Sequence, residues 1–215
     1  MRKILFILGL ALACSNMHAQ KILHPLSDDK LMHYGGFIGV NLPSYIVRPE
    51  TVYSPTLGFG VTFGGYVDVK LSRYLNFRLC PNYNINFVSI NTKSDSDIYR
   101  AKFMPISIPA YLKWSAERKG NYKPYLLAGG GFSVDAEAFK KAEKKSIFTK
   151  KMIYFAEIGL GCDYYTNWFR GAPEIKYQIS LNNIVDPMNS AEGKIKNISK
   201  LHYHQISLIF NFGSL

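Results

Sequence analysis

The feature that most constrains this chain is a two-residue alternation of apolar and polar side chains, sustained over segments too long for an ordinary soluble sheet. From Leu75 to Ser89, the residues Leu75, Phe77, Leu79, Pro81, Tyr83, Ile85 and Phe87 alternate with Asn76, Arg78, Cys80, Asn82, Asn84 and Asn86. Successive side chains of a strand point to opposite faces, so one face here is apolar and the other is rich in amides. The same design occurs earlier, where Leu57, Phe59, Val61, Phe63, Val67 and Val69 oppose Thr56, Gly58, Gly60, Thr62, Gly64, Tyr66 and Asp68. It returns where Pro173, Ile175, Tyr177, Ile179 and Leu181 oppose Glu174, Lys176, Gln178, Ser180 and Asn182.

Weaker versions of the pattern cover residues 32–42, 101–114, 122–134, 152–165 and 202–213, which makes eight candidate strands. Several exceed the five or six residues usual in soluble strands and reach the roughly 9 to 11 that a tilted membrane strand needs. The connections alternate too. Short links at Lys70–Tyr74, Ser115–Asn121 and Thr166–Arg170 are interleaved with longer ones at Pro43–Pro55, Ile90–Arg100, Asp135–Lys151 and Asn183–Lys200. Outer-membrane barrels have short periplasmic turns and long outer loops, and closure removes sheet edges that lipid would not tolerate. The expected fold is therefore all-β, an eight-stranded antiparallel up-and-down transmembrane β-barrel with both termini in the periplasm.

The N-terminus fits export. Arg2 and Lys3 precede an apolar run from Ile4 to Ala13, then a polar stretch leads to His18-Ala19-Gln20. The run is too short to span a membrane as a helix, and its order is that of a signal peptide. Cleavage is expected between Ala19 and Gln20, dividing the chain into a signal peptide at 1–19, a short periplasmic segment at 20–31 and a barrel domain at 32–215. A lipoprotein reading of Ala11-Leu12-Ala13-Cys14 is the alternative, with Ala11 standing where a large aliphatic residue is usual.

The formal charge of +11 falls to +9 when Arg2 and Lys3 leave with the signal. In an exported chain such a balance points to lipid and lipopolysaccharide phosphates or acidic proteins, and not to nucleic acid. Its densest run, Lys140, Lys141, Lys144 and Lys145 followed by Lys150 and Lys151, falls in an expected outer loop and is a candidate contact for those partners. The cysteines left after cleavage, Cys80 and Cys162, lie on opposite strand phases and are expected to be free thiols.

Eight strands enclose a bore that side chains can fill, so a conducting pore is not expected. Arg78, Lys102, Glu157, Asp163, Glu174 and Lys176 fall on the lumen phase and should neutralise one another. Tyr74, Trp114, Tyr122, Tyr164 and Trp168 lie beside the short turns, where an interfacial girdle would sit. Pro81, Pro105 and Pro109 conflict with ladder pairing and predict bulges, and Gly129-Gly130-Gly131 predicts a bend or the close approach of a lumen side chain.

No catalytic site, cofactor site or metal site is expected. His202 and His204 share a strand face but have no third ligand at matching spacing, and Ser207 falls on the opposite face from His204.

One stretch, Asp28-Asp29-Lys30-Leu31-Met32-His33-Tyr34-Gly35, together with Pro109-Ala110-Tyr111-Leu112-Lys113-Trp114-Ser115 and Asn121-Tyr122-Lys123-Pro124-Tyr125, resembles the PorT family. So do Glu157 to Tyr165, Pro173-Glu174-Ile175-Lys176-Tyr177 and Leu181-Asn182-Asn183 in their order and spacing. The resemblance implies an outer-membrane component of the type IX secretion system that assists export of cargo bearing a C-terminal secretion domain, with other secretion-system proteins as partners. A small structural, ligand-binding or adhesion barrel with no secretion role is the alternative, and a lipid-modifying barrel enzyme a more distant one.

Overall fold

The structure is a computed structural model and describes residues 30–48, 53–54, 56–92, 98–135, 152–166, 168–182 and 200–214. The expected cleavage site and the lysine run from Lys140 to Lys151 lie outside the described residues.

Twelve strand elements form eight continuous staves. The first is β1 (Met32–Arg48). The second combines β2 (Tyr53–Ser54), β3 (Thr56–Leu57) and β4 (Phe59–Lys70). In the third, β5 (Leu75–Leu79) runs into β6 (Asn82–Thr92), and in the fourth β7 (Ile98–Phe103) runs into β8 (Pro105–Ser115). Then follow β9 (Tyr122–Asp135), β10 (Met152–Tyr165), β11 (Arg170–Ser180) and β12 (Lys200–Gly213). Each stave pairs antiparallel with its sequence neighbours, and β1 pairs with both β4 and β12, which closes the barrel.

The register fixes the barrel's dimensions. Following cross-strand partners from Met32, the path visits Val69, Phe77, Leu112, Ala128, Ile158, Tyr177 and Ile206, and returns to β1 at Leu42. It comes back ten residues beyond its start, so the shear is ten for eight staves. With strands about 4.7 Å apart and a rise of about 3.3 Å per residue, that shear tilts the staves by about 41° and sets a backbone radius of about 8 Å. Both values are those of a small membrane barrel.

Alternation sorts the side chains as the sequence predicts. Val61, Phe63, Phe77, Leu79, Ile158, Leu160, Leu208 and Phe210 face outward, while Thr62, Asp68, Arg78, Asn84, Glu157 and Asn211 are buried inside. An apolar outer face over an interior that holds the charged and amide side chains, together with buried Phe37, Leu127, Phe155 and Ile209, suits a chain whose outer solvent is lipid.

Three expectations are corrected. Pro43–Pro55 is not a loop, because β1 continues to Arg48 and the second stave begins at Tyr53; the link expected at Ile90–Arg100 is likewise shortened by β6 and β7. Inter-strand pairing with β12 carries β1 through Pro43, which is opposite Gln205. There are also no bulges at the prolines: the registers of β5, β6, β7 and β8 with their neighbours are the same on either side of Pro81, Pro105 and Pro109. A replacement bond explains part of this tolerance. Cys80 donates its N–H to the Pro109 carbonyl, and its own carbonyl, which faces a proline lacking an N–H, accepts from the Asn82 side-chain amide at 3.1 Å.

The third correction concerns the glycine triplet. A Cβ at Gly129, Gly130 or Gly131 would come within 2.5 Å of the carbonyl oxygen of Ala110, Phe155 or Ile108 respectively. Neighbouring backbone, not a lumen side chain, demands glycine there.

The two ends differ. At one, the staves are joined by short turns, including 71–74 and 116–121. At the other, β7 continues along β6 as far as Ile98 opposite Asn91, and β1 along β12 as far as Arg48 opposite Lys200.

Candidate functional site

Among the described residues the lumen holds two polar groupings packed with a buried apolar cluster that includes Phe37, Leu127, Ala172 and Ile209. Nearer the turn end lies a network of four carboxylates and four cations, all buried: Asp68, Glu157, Asp163 and Glu174 against Arg78, Lys113, Arg170 and Lys176. Arg78 is its centre. Its Nε and Nη2 donate to the two oxygens of Asp68 at 2.5 and 2.8 Å, and its Nη1 donates to Glu174 at 3.0 Å. This fork matches a planar guanidinium to a carboxylate, which a lysine cannot do.

Each remaining charge is tied into the same web. Lys113 reaches Asp163 at 2.8 Å and Asp68 at 3.5 Å. Lys176 lies 2.9 Å from Glu174 and 3.8 Å from Glu157, and donates to the Tyr111 hydroxyl at 3.3 Å. Arg170 contacts Asp68 and the Tyr66 hydroxyl. Tyrosine rings complete the coordination, with Arg78 over Tyr66 at 4.7 Å and Lys113 over Tyr125 at 3.9 Å from the ring centroids. The Tyr125 hydroxyl donates to Glu174 at 2.6 Å.

Equal numbers of opposite charges make this layer formally neutral. Isolated charges there would carry a large desolvation cost, and neutrality with multiple bonds per ion is what makes the layer tolerable. Arg78, Glu157, Asp163, Glu174 and Lys176 stand where the sequence places them, whereas the side chain of Lys102 lies outside the described residues. Sequence reasoning leaves Asp68, Lys113 and Arg170 out of the charged set. The signal for the first two was present in their phase, since Asp68 alternates with Val67 and Val69, and Lys113 with Leu112 and Trp114.

Toward the loop end the lumen changes to amides and hydroxyls. Asn41 donates to Asn84 and Asn86, and Asn86 donates to Tyr203 and Gln205. Gln205 in turn bonds Ser207. Here the described polar groups are neutral and bond one another across the bore.

Outside, the aromatic girdle expected at the turn end is present. Tyr74, Trp114, Tyr122 and Trp168 are exposed, and Tyr164 is half-buried with its ring 5.1 Å from that of Tyr122. Tyr74 donates to Glu117 at 2.8 Å, and this carboxylate, itself paired with Arg73, holds the Tyr74 hydroxyl above its usual range. Cys80 is buried in the lumen and Cys162 faces an apolar groove of about 860 Å³ on the outer wall, with Pro124 and Pro173 beside it. Both thiols are free, on opposite faces as their phases required.

The residues with catalytic potential do not converge. Ser207 is buried in the lumen, while His204 faces outward and its Nδ1 lies 2.7 Å from the Tyr177 hydroxyl. The His202 side chain lies outside the described residues. Among those described, no three His, Cys, Asp or Glu side chains are grouped to hold a metal ion.

An apolar outer belt, a polar plugged lumen and closure at eight tilted staves define a small outer-membrane β-barrel. The chain belongs to the family described as outer membrane protein beta-barrel domain, whose model matches residues 18–186. No curated protein matches it. Among solved structures it is similar to neisserial surface protein A, at 13% identity and a TM-score of 0.47, covering 83% of this chain and 95% of that one. OprG of Pseudomonas aeruginosa is similar at 13% identity and a TM-score of 0.46, covering 85% and 92%. The attachment invasion locus protein Ail of Yersinia pestis follows at 10% identity and a TM-score of 0.41, covering 86% and 99%. Family membership places the protein in the outer membrane.

Proposed function

We propose that this protein is a non-conducting, non-catalytic outer-membrane barrel that acts through its loop-end rim as a structural or ligand-binding surface protein. The observation that carries this reading is the formally neutral ion network, whose described side chains are buried and bonded to one another across the bore. Function then belongs to the rim, the loops and the lipid-facing wall. The short turns support placing that end and both termini in the periplasm, with the long connections outside.

The loop lysines Lys140, Lys141, Lys144, Lys145, Lys150 and Lys151 are then positioned to meet lipopolysaccharide phosphates or an acidic partner protein. Two measurements test this. A cysteine introduced as Lys144→Cys should react with a membrane-impermeant maleimide in intact cells, and labelling only after lysis would reverse the orientation. Exchanging the six lysines for glutamine should reduce co-purifying lipopolysaccharide or partner; unchanged recovery would remove the lysines from the function.

A role in type IX secretion is a narrower reading, favoured by the PorT-like stretches around Asp28–Gly35 and Pro109–Ser115. With its lumen filled, such a protein would assist assembly and not form the conduit. Deleting the gene discriminates: loss of secreted C-terminal-domain cargo supports the secretion role, while normal release with altered surface binding supports the first reading.

A further inference from the structure

At the turn-end mouth, three buried polar atoms have no hydrogen-bond partner among the described residues: Ser115 Oγ, Asp163 Oδ1 and Arg170 Nε. They come from β8, β10 and β11, and their residues line one small cavity of about 20 Å³. The rest of each charged side chain is held elsewhere. Asp163 gives its other oxygen to Lys113 at 2.8 Å, and Arg170 commits Nη2 to Asp68 and Tyr66. Arg170 Nε and Asp163 Oδ1 therefore stand 3.9 Å apart, too far for a hydrogen bond.

We propose that this cavity is a binding site for one structural water molecule that bridges Arg170, Asp163 and Ser115. Its volume suits a single water, and water needs two to four polar partners to be held. The mixture of partners selects water over ions. Arg170 Nε–H repels a cation, as do Lys30, Lys70, Arg73 and Lys123 around the same cavity, while the Asp163 Oδ1 that the ligand must touch, with Asp68 beside it, repels an anion. Water accepts from Arg170, donates to Asp163, and exchanges either role with the Ser115 hydroxyl. The bridge completes the ion network at the point where it meets the aqueous phase, and converts a gap into a mediated contact nearly as favourable as a direct one.

The test is a high-resolution crystal structure of the full barrel in detergent or lipid, with a second crystal soaked in bromide. The expected result is an oxygen peak at about 2.7–3.2 Å from all three atoms, with no anomalous signal there. A bromide anomalous peak would assign the site to an anion and overturn the proposal. So would an empty cavity, or a structure in which Arg170 Nε and Asp163 Oδ1 bond directly. Ser115→Ala supplies a second readout: loss of one partner should lower the folding equilibrium constant about three- to tenfold in urea titrations. An unchanged constant would show that Ser115 takes no part.

Discussion

At the scale of residues, the molecule depends most on Arg78. Its guanidinium holds Asp68 with two bonds and Glu174 with a third, at a position with no exposure to solvent. Arg78→Met would keep much of the volume but leave two carboxylates short of charge in the lumen. Glu174 retains Lys176 at 2.9 Å, whereas Asp68 falls back on Lys113 and Arg170 at 3.5 Å. The expected cost is about 3–5 kcal/mol, the range found when one member of a buried pair is removed. Urea titration of barrels folded into lipid vesicles measures it. Adding Asp68→Asn should recover part of the loss, because the uncompensated charge goes with it. A single variant within about 1 kcal/mol of wild type would mean that the network rearranges freely and that Arg78 is not its centre.

At the scale of elements, the unbroken register is the central fact, and the prolines show how it is kept. The Cys80 carbonyl relies on the Asn82 amide because Pro109 offers it no N–H. Asn82→Ala should therefore destabilise the third and fourth staves by about 1–3 kcal/mol, the cost of an unsatisfied carbonyl. Amide hydrogen exchange should show faster exchange at β5 and β8 with little change at β11 and β12; uniform exchange across the barrel would contradict a local role. Much of this architecture was legible in sequence, since the 3.3 Å strand rise and two-residue period convert Leu75–Ser89 directly into inside and outside. The prolines predict bulges that do not form, for a physical reason. A proline's missing bond can be replaced by a side chain two residues away, and no one-strand pattern reveals which carbonyl will need it. The extensions of β1, β6 and β7 were missed for a related reason: Pro43 looked like a terminus, but pairing with β12 carries the strand through it. The sequence pattern places Arg170 in a turn, because its role depends on Asp68, 102 positions away in the chain.

At the scale of the whole molecule, shear and composition together decide what can cross. A backbone radius of about 8 Å leaves room only for side chains, as in other eight-stranded barrels. Here those side chains bind one another across the bore, with Asn86 bonding Tyr203 toward the loop end and Arg78 bonding Glu174 toward the turn end. An ion entering the charged layer would have to break pairs that already balance, and one entering the amide layer would have to part hydrogen bonds such as those from Asn86 to Tyr203 and Gln205. Purified protein in planar lipid bilayers should accordingly give no stepwise conductance at either polarity. Arg78→Ala with Glu174→Ala, which removes a bonded pair while keeping the layer formally neutral, should admit steps if the variant folds. Near- and far-ultraviolet circular dichroism would confirm that it does. Steps from the wild-type protein would show that the lumen opens, and would move the search for function from the rim back into the bore.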